Sequence, residues 1–274
     1  MMTRLFCSLL VLLMSVHVSA NSLPTQSAIP GGVVIVPLSV DTMVKPKVMY
    51  RDRQVAVVQY ERKWVAIVGV PLSAKIGAQT LSILQNGKTS KTLFYIEGKA
   101  YPTQHITIKD KRKVNPNKLD MTRIKSESED INAALSHWTD KSVLPLPFLW
   151  PIEGRVSGLY GRRRVFNGQP RRPHSGMDIA APTGTQVHAP AEGTIREVGN
   201  YFFNGKTIFI DHGQGLVTIF CHLDRTDVVS GQTVRQGEVI GTVGMSGRVT
   251  GPHLHLGVSL NDTRVEPRLF FPAR

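Results

Sequence analysis

The chain has 274 residues, and its 33 lysines and arginines against 20 aspartates and glutamates give a formal net charge of +13. A chain of this length accommodates two ordinary domains, and its basic excess suits a polyanionic partner such as nucleic acid, anionic lipid or a cell-wall polymer. The two cysteines are Cys7 and Cys221. Since Cys7 lies in a leader that we expect to be removed, an intramolecular disulfide in the mature chain is excluded.

The first twenty residues predict a secretory signal peptide. Arg4 precedes an apolar run from Leu5 to Val16, and the small-residue sequence "VSA" follows. This order is typical of a signal peptide over residues 1–20 with cleavage after Ala20. The apolar run is shorter than the roughly 20 residues that a membrane-spanning helix needs. We therefore expect an exported mature chain without a transmembrane segment, and export argues against nucleic acid as its partner.

Residues 28–110 predict a small β-sandwich. The β-branched and aromatic runs "GGVVIVPLSV", "VAVVQY", "WVAIVGVPL" and "TLFYIEG" are separated by glycine, proline, asparagine and charged residues, as short strands are. The sequence "QNGK", Gln85–Lys88, carries an Asn-Gly signal for a hairpin turn. We find no catalytic constellation in this amino-terminal β-domain.

Residues 111–145 predict a helical linker. Four apolar residues recur at spacings of seven, four and three along a highly charged segment: Ile124, Ile131, Leu135 and Trp138. These spacings place the four on one helical face, which indicates a connecting helix docked on a neighbouring domain. The proline-rich sequence "LPLPFLWP", Leu144–Pro151, then ends helical structure.

Residues 146–274 predict a second domain made almost entirely of strands. The runs "GTIREVG", "KTIFIDHG" and "LVTIFCHL" are joined by the turn sequences "FNGK" and "HGQG". No helical period runs through residues 150–260.

Two short patterns in this domain carry metal-binding chemistry. "HSGMD" supplies His174 and Asp178, and Gly176 between them permits a bend that shortens their separation. "HLH" supplies His253 and His255 on one face of a strand, because strand side chains alternate between faces. Imidazole and carboxylate groups are zinc ligands, and three of them leave one position for water.

His222, in "FCHL", adds a fifth candidate side chain. A catalytic zinc ion usually takes three protein ligands, so the surplus histidines are free to act on bound water or substrate. The spacing leaves open which of these histidines does which job.

Three stretches of this domain resemble the lysostaphin-type (LytM-type) zinc metallopeptidases: "RPHSGMDIAAPTGTQVHAPAEGTI", "IDHGQGLVTIFCHL" and "GRVTGPHLHLGV". Members of that family hydrolyse peptide cross-bridges of peptidoglycan. The resemblance implies one zinc ion per chain, held by His174, Asp178 and His255. It leaves His222 and His253 as the catalytic histidines that do not bind zinc, and does not say which is the general base.

The resemblance implies a mainly β fold: an amino-terminal β-sandwich, a connecting helix and an all-β lysostaphin-type metallopeptidase domain. The region before the metallopeptidase domain is similar to the amino-terminal domain of exported Gram-negative members, which implies a periplasmic protein. The implied function is a zinc metalloendopeptidase cutting peptidoglycan cross-links, with D-alanyl-to-diaminopimelate bonds favoured. The alternative is a non-catalytic regulator that binds and activates other wall hydrolases, as family members without intact ligands do.

A run of arginines stands just before the first predicted ligand. "GRRRVFNGQPRRPH" contains five of them: Arg162, Arg163, Arg164, Arg171 and Arg172. One hypothesis is that they line the active-site cleft and attract the carboxylates of peptidoglycan stem peptides. The other is a solvated loop whose charge keeps the protein soluble.

Overall fold

The computed structural model describes residues 22–40 and 43–274 of the chain. The predicted signal peptide lies outside these residues. The structure confirms the mainly β fold class, with several sheets and one α-helix in the described part of the chain. No helix among the described residues has both the length and the apolar content needed to cross a membrane.

The amino-terminal region forms the predicted sandwich of two small sheets. One sheet has the strand order β1-β5-β4 and the other β3-β2-β6-β7. Buried side chains such as Val57, Val68 and Leu81 fill the space between the sheets. The strands are β1 Val33–Pro37, β2 Lys47–Tyr50, β3 Arg53–Gln54, β4 Ala56–Tyr60, β5 Lys63–Gly69, β6 Gly77–Gln85 and β7 Lys88–Ile96.

The next strand, β8 (Thr103–Ile106), does not join either amino-terminal sheet. It pairs in parallel with β10 (Arg163–Phe166), which forms a hairpin with β11 (Gln169–Arg171). The side-chain amide of Asn167, in the turn of that hairpin, donates to Ile108 O at 3.0 Å. A strand from the predicted amino-terminal domain therefore completes a three-stranded sheet with the segment that leads to His174.

The predicted connecting helix is α1, Lys118–Ser136. It begins with a capping box, in which Asn117 and Asp120 each accept a hydrogen bond from the other's backbone N–H. Near its carboxyl end, Leu135 is buried against Phe209 and Cys221 of the main sheet. Burial raises the pKa of the Cys221 thiol to about 12, so this cysteine stays protonated and serves as a packing residue.

The remaining strands form a ten-stranded sheet whose main path is β17-β14-β15-β16-β19-β12-β9. Its core includes Met177, Ile179 and Leu254, and Val58 and Ile67 of the amino-terminal sheet belong to the same buried cluster. The strands are β9 Arg155–Gly158, β12 Met177–Ala180, β13 Gln186–His188, β14 Gly193–Tyr201, β15 Gly205–Asp211, β16 Val217–Thr226, β17 Thr233–Val234, β18 Val239–Val243, β19 His253–Leu260 and β20 Thr263–Val265.

His212 is fully buried at the end of β15. Its Nδ1–H donates to Glu192 O at 2.7 Å, so Nε2 accepts from Thr218 Oγ1 at 2.8 Å. Burial lowers the pKa of His212 to about 4. The imidazole is therefore neutral in the folded protein throughout the physiological pH range.

This buried imidazole makes the stability of the fold pH-dependent. The unfolded chain takes up the His212 proton near pH 6.5, whereas the folded chain resists it until about pH 4. We expect this residue alone to lower the free energy of unfolding by about 3 kcal/mol as the pH falls through that window. Denaturant unfolding at several pH values measures the slope, and His212→Gln should flatten it. An unchanged slope in the variant would contradict the assignment.

Candidate metal centre and active-site cleft

The register between β12 and β19 brings the two metal-binding patterns together. Asp178 lies directly opposite His255, and Ala180 lies opposite His253. Cross-strand partners share a face of the sheet, and so do residues two apart on one strand. His253 and His255 therefore both face the carboxylate of Asp178, with Nε2 of His253 3.7 Å from Oδ1 and Nδ1 of His255 2.9 Å from it.

His174 completes a cluster of three donor atoms. Its Nε2 lies 3.0 Å from Asp178 Oδ1 and 3.0 Å from His255 Nδ1. Two imidazole nitrogens and one carboxylate oxygen are a donor set that catalytic zinc takes, with a fourth position left open. Around a tetrahedral ion with bonds of about 2.0–2.2 Å, donor atoms lie roughly 3.3–3.6 Å apart, so a shift of about half an ångström would admit one. The residues present fit the predicted metal.

Two neighbours fix the orientation of these donors. The Nδ1–H of His174 donates to Leu159 O at 2.8 Å, which leaves the lone pair of Nε2 directed into the cluster. Gly176 allows the close approach of His255, since a Cβ there would lie 2.8 Å from the imidazole Nε2 and 2.4 Å from Leu256 O. Gly176, which stands between His174 and Asp178 in the sequence, is thus required by the packing of His255, the third ligand candidate.

The second oxygen of Asp178 is held by an arginine. Arg164 Nη2 donates to Asp178 Oδ2 at 3.1 Å. Burial raises the pKa of Asp178, but the close contacts with His174 and His255 outweigh it and hold the pKa well below its usual range. Asp178 is therefore a carboxylate, the form that a metal ligand requires.

His222 joins the cluster through an irregularity in β16. Its backbone has a φ of 66°, in the left-handed region that breaks strand alternation, and its ring lies 4.9 Å from the ring of His253. The Nδ1–H of His222 donates to Ser246 O at 2.9 Å, and that of His253 donates to Gly251 O at 2.8 Å. A carbonyl only accepts, so each ring keeps its lone pair on Nε2 when neutral. Burial, with His255 and His253 adding to it, lowers the pKa of His222 to about 3.

A cleft of about 510 Å³ opens over His174, His222 and His255. Its other wall comes from the linker, with Met121 and Ile124 of α1 facing in. The linker is tied to both sides of the cleft. Arg171 Nη2 donates to Val114 O at 2.9 Å, and Lys113 Nζ donates to Phe202 O at 2.6 Å.

Gly158 lies opposite Asp178 in the β9–β12 ladder and leaves room for its carboxylate. A Cβ at Gly158 would lie 2.2 Å from Asp178 Oδ2 and 2.8 Å from Cγ. We expect Gly158→Ala to displace the carboxylate and to weaken zinc binding about 10- to 100-fold, the range typical of lost support around metal ligands. Competition with a fluorescent zinc chelator measures the affinity.

The matched control is Gly98→Ala, whose new methyl group would meet only the flexible end of Ile76 at 3.2 Å. Equal zinc affinities in the two alanine variants would show that the carboxylate has room to move.

Two family profiles match the chain: Peptidase family M23 over residues 172–267, and the Peptidase family M23 N-terminal domain over residues 26–99. A crystal structure from Pseudomonas aeruginosa, of a protein assigned to peptidase M23, shares 39% sequence identity and superposes with a TM-score of 0.75. That match covers 89% of this chain and 95% of the other. The chain belongs to peptidase family M23. The resemblance to lysostaphin-type metallopeptidases is thereby confirmed.

Curated relatives match less than half of the chain. The peptidoglycan DD-endopeptidase ShyC of Vibrio cholerae is 40% identical over 116 residues, which is 42% of this chain and 27% of ShyC. The DD-carboxypeptidase/endopeptidase Mpg of Neisseria meningitidis is 42% identical over 113 residues, 41% of this chain and 26% of Mpg. The chain thus spans about a quarter of the length of these two relatives.

The sequence patterns named five side chains for this M23 site, and the structure brings all five together. Two features of the cleft were missed. Arg248 lines it but stands alone in the sequence, with no motif to mark it. Ile124 was predicted to share the docked face of the helix with Leu135, but it faces the cleft, because α1 packs on the sheet through its carboxyl-terminal end.

Proposed function

We propose that the chain is an exported, zinc-dependent endopeptidase that hydrolyses peptide cross-links of peptidoglycan. The observation that carries this proposal is the convergence of three donor atoms, 2.9–3.0 Å apart, beside two further histidines with free Nε2 lone pairs. The names of ShyC and Mpg support peptidoglycan as the substrate. D-alanyl-to-diaminopimelate bonds are the cross-links we expect it to cut.

We assign His174, Asp178 and His255 as the ligands of one zinc ion per chain. Zinc bound there supplies a Lewis acid and a water molecule of lowered pKa. Arg164 and Leu159 O hold the ligand side chains in place. The proposal also includes a signal peptide over residues 1–20, a periplasmic location, a β-domain over 28–110, a helical linker over 111–145 and the metallopeptidase domain over 146–274.

We assign proton transfer and oxyanion stabilisation to His222 and His253. Each has its Nδ1–H engaged by a carbonyl, so Nε2 is the atom that accepts a proton and afterwards donates it. The low pKa of His222 keeps this residue neutral, and thus able to accept, at neutral pH. Once protonated, an imidazole donates a charged hydrogen bond to an oxyanion or to the departing amine.

The experiment uses residues 21–274 with purified cross-linked peptidoglycan, with added zinc and with a chelator. The expected result is a zinc-dependent loss of dimeric muropeptides, measured by chromatography and mass spectrometry. We expect no loss with His174→Ala. A folded, zinc-loaded protein that leaves the dimers intact would overturn the proposal. If the same protein stimulated a separate wall hydrolase, the regulator alternative would replace it.

A further inference from the structure

The cleft beside the metal centre has an excess of positive charge. Four arginines line it: Arg164, Arg171, Arg172 and Arg248. Among the described residues that line the cleft there is no aspartate or glutamate. The carboxylate of Asp178 is already paired with Arg164 and with the proposed ligands His174 and His255. The cleft therefore attracts an anion that the chain does not itself supply.

Arg248 is one of the cleft arginines without an acidic partner among the described residues. Its guanidinium carbon lies 4.2 Å from the ring centroid of Phe203 and 4.7 Å from that of Phe166, and it donates a long hydrogen bond, 3.4 Å, to Lys113 O. Within the described part of the chain no carboxylate pairs with it. Burial, and then the charges of Arg164 and Arg171, lower the pKa of Arg248 to about 10.

The two aromatic rings fix Arg248 without neutralising it. A guanidinium stacked on aromatic faces keeps its N–H groups available at the edge, where a carboxylate binds in a bidentate manner. Arg171 is held by hydrogen bonds instead: its Nη2 donates to Val114 O at 2.9 Å and to Gln169 Oε1 at 2.6 Å. It also has no acidic partner among the described residues. Both side chains are preorganised donors, and preorganisation lowers the entropy lost on binding.

We propose that Arg248, together with Arg171, forms a subsite for a free carboxylate of the peptide substrate, on the carbon attached to the scissile nitrogen. The inference rests on the proposed function. In diaminopimelate each amine-bearing carbon also bears a carboxyl group, so a cross-link formed through one of these amines has a carboxylate two bonds from the nitrogen that is released. An arginine pair in the cleft that contains His222 binds this group and orients the amide.

The test compares two synthetic cross-linked peptides that differ in one group, a free carboxylate or a carboxamide next to the scissile nitrogen. With the zinc-loaded protein, residues 21–274, we expect kcat/KM to favour the free acid about 10- to 100-fold, as for hydrogen bonds to charged groups. Arg248→Gln should reduce this ratio to below about threefold, and Arg171→Gln should reduce it in the same direction. Arg196→Gln, at an exposed arginine of β14, should leave it unchanged.

Equal cleavage of the two peptides by the wild type, or a preference that survives in Arg248→Gln, would overturn the subsite. If neither peptide is cleaved, the proposed function fails, and calorimetric binding of the same two peptides decides the subsite separately. A preference for the free acid that disappears in Arg248→Gln would then support it, and equal affinities would reject it. Circular dichroism and thermal melting show whether each variant is folded.

Discussion

Replacing Asp178 with asparagine is expected to abolish zinc binding and to reduce the rate of cross-link cleavage about 10³-fold or more. The change preserves the shape of the side chain but removes the one anion among the three donors. It also leaves Arg164, now without its ion pair, as a positive charge next to the position where a cation must bind. Metal content by mass spectrometry and the rate of muropeptide cleavage measure the two effects together.

The control for this variant is Asp224→Asn, at an exposed aspartate of β16 in the same domain. We expect it to retain one zinc ion per chain and full activity. If Asp178→Asn also kept stoichiometric zinc and the wild-type rate, Asp178 would not be a ligand, and the three-donor assignment would be wrong.

Replacing either His222 or His253 with glutamine is expected to lower the cleavage rate about 10²- to 10⁴-fold while zinc stays bound. The reason is geometric: in each ring Nδ1–H is engaged by a backbone carbonyl, and Nε2 is the atom left for chemistry. The amide of glutamine forms hydrogen bonds but does not accept and release a proton near neutral pH. The separation of metal content from rate distinguishes these residues from the ligands.

His105→Gln provides the matched control, because His105 is an exposed histidine of β8. A variant of His222 or His253 that lost zinc along with its rate would have to be reassigned as a ligand. One that kept the wild-type rate would have no part in the reaction.

The candidate side chains of the metal centre could be recognised in the sequence because their patterns depend on short-range geometry, whereas the choice of three of them as zinc ligands came from the family resemblance. Strand alternation places His253 and His255 on one face, whatever the rest of the fold does. A histidine and an aspartate four residues apart, with a glycine between them, need only a local bend to approach each other. Asp178 and His255 become neighbours through the β12–β19 register, which the resemblance implied but the spacing did not.

The rest of the cleft depends on packing between distant segments. His222 reaches the site because of a positive φ, a local departure that its neighbouring residues do not signal. Arg248 and Arg171 converge only once the linker has docked, since Lys113 O and Val114 O are among their hydrogen-bond acceptors. The helix itself was predicted from its apolar spacing, but the surface it covers was not.

The pairing of β8 with β10 has a consequence for how this peptidase can be recombined. A fusion protein that begins at the prolines after Leu144 would carry the proposed metal ligands but leave an open edge on β10. Open strand edges pair with foreign chains and aggregate. A fusion that begins before Thr103 would carry the third strand and the linker that contacts Arg171. The smallest piece to exchange between homologues is therefore larger than the region that bears the catalytic motifs.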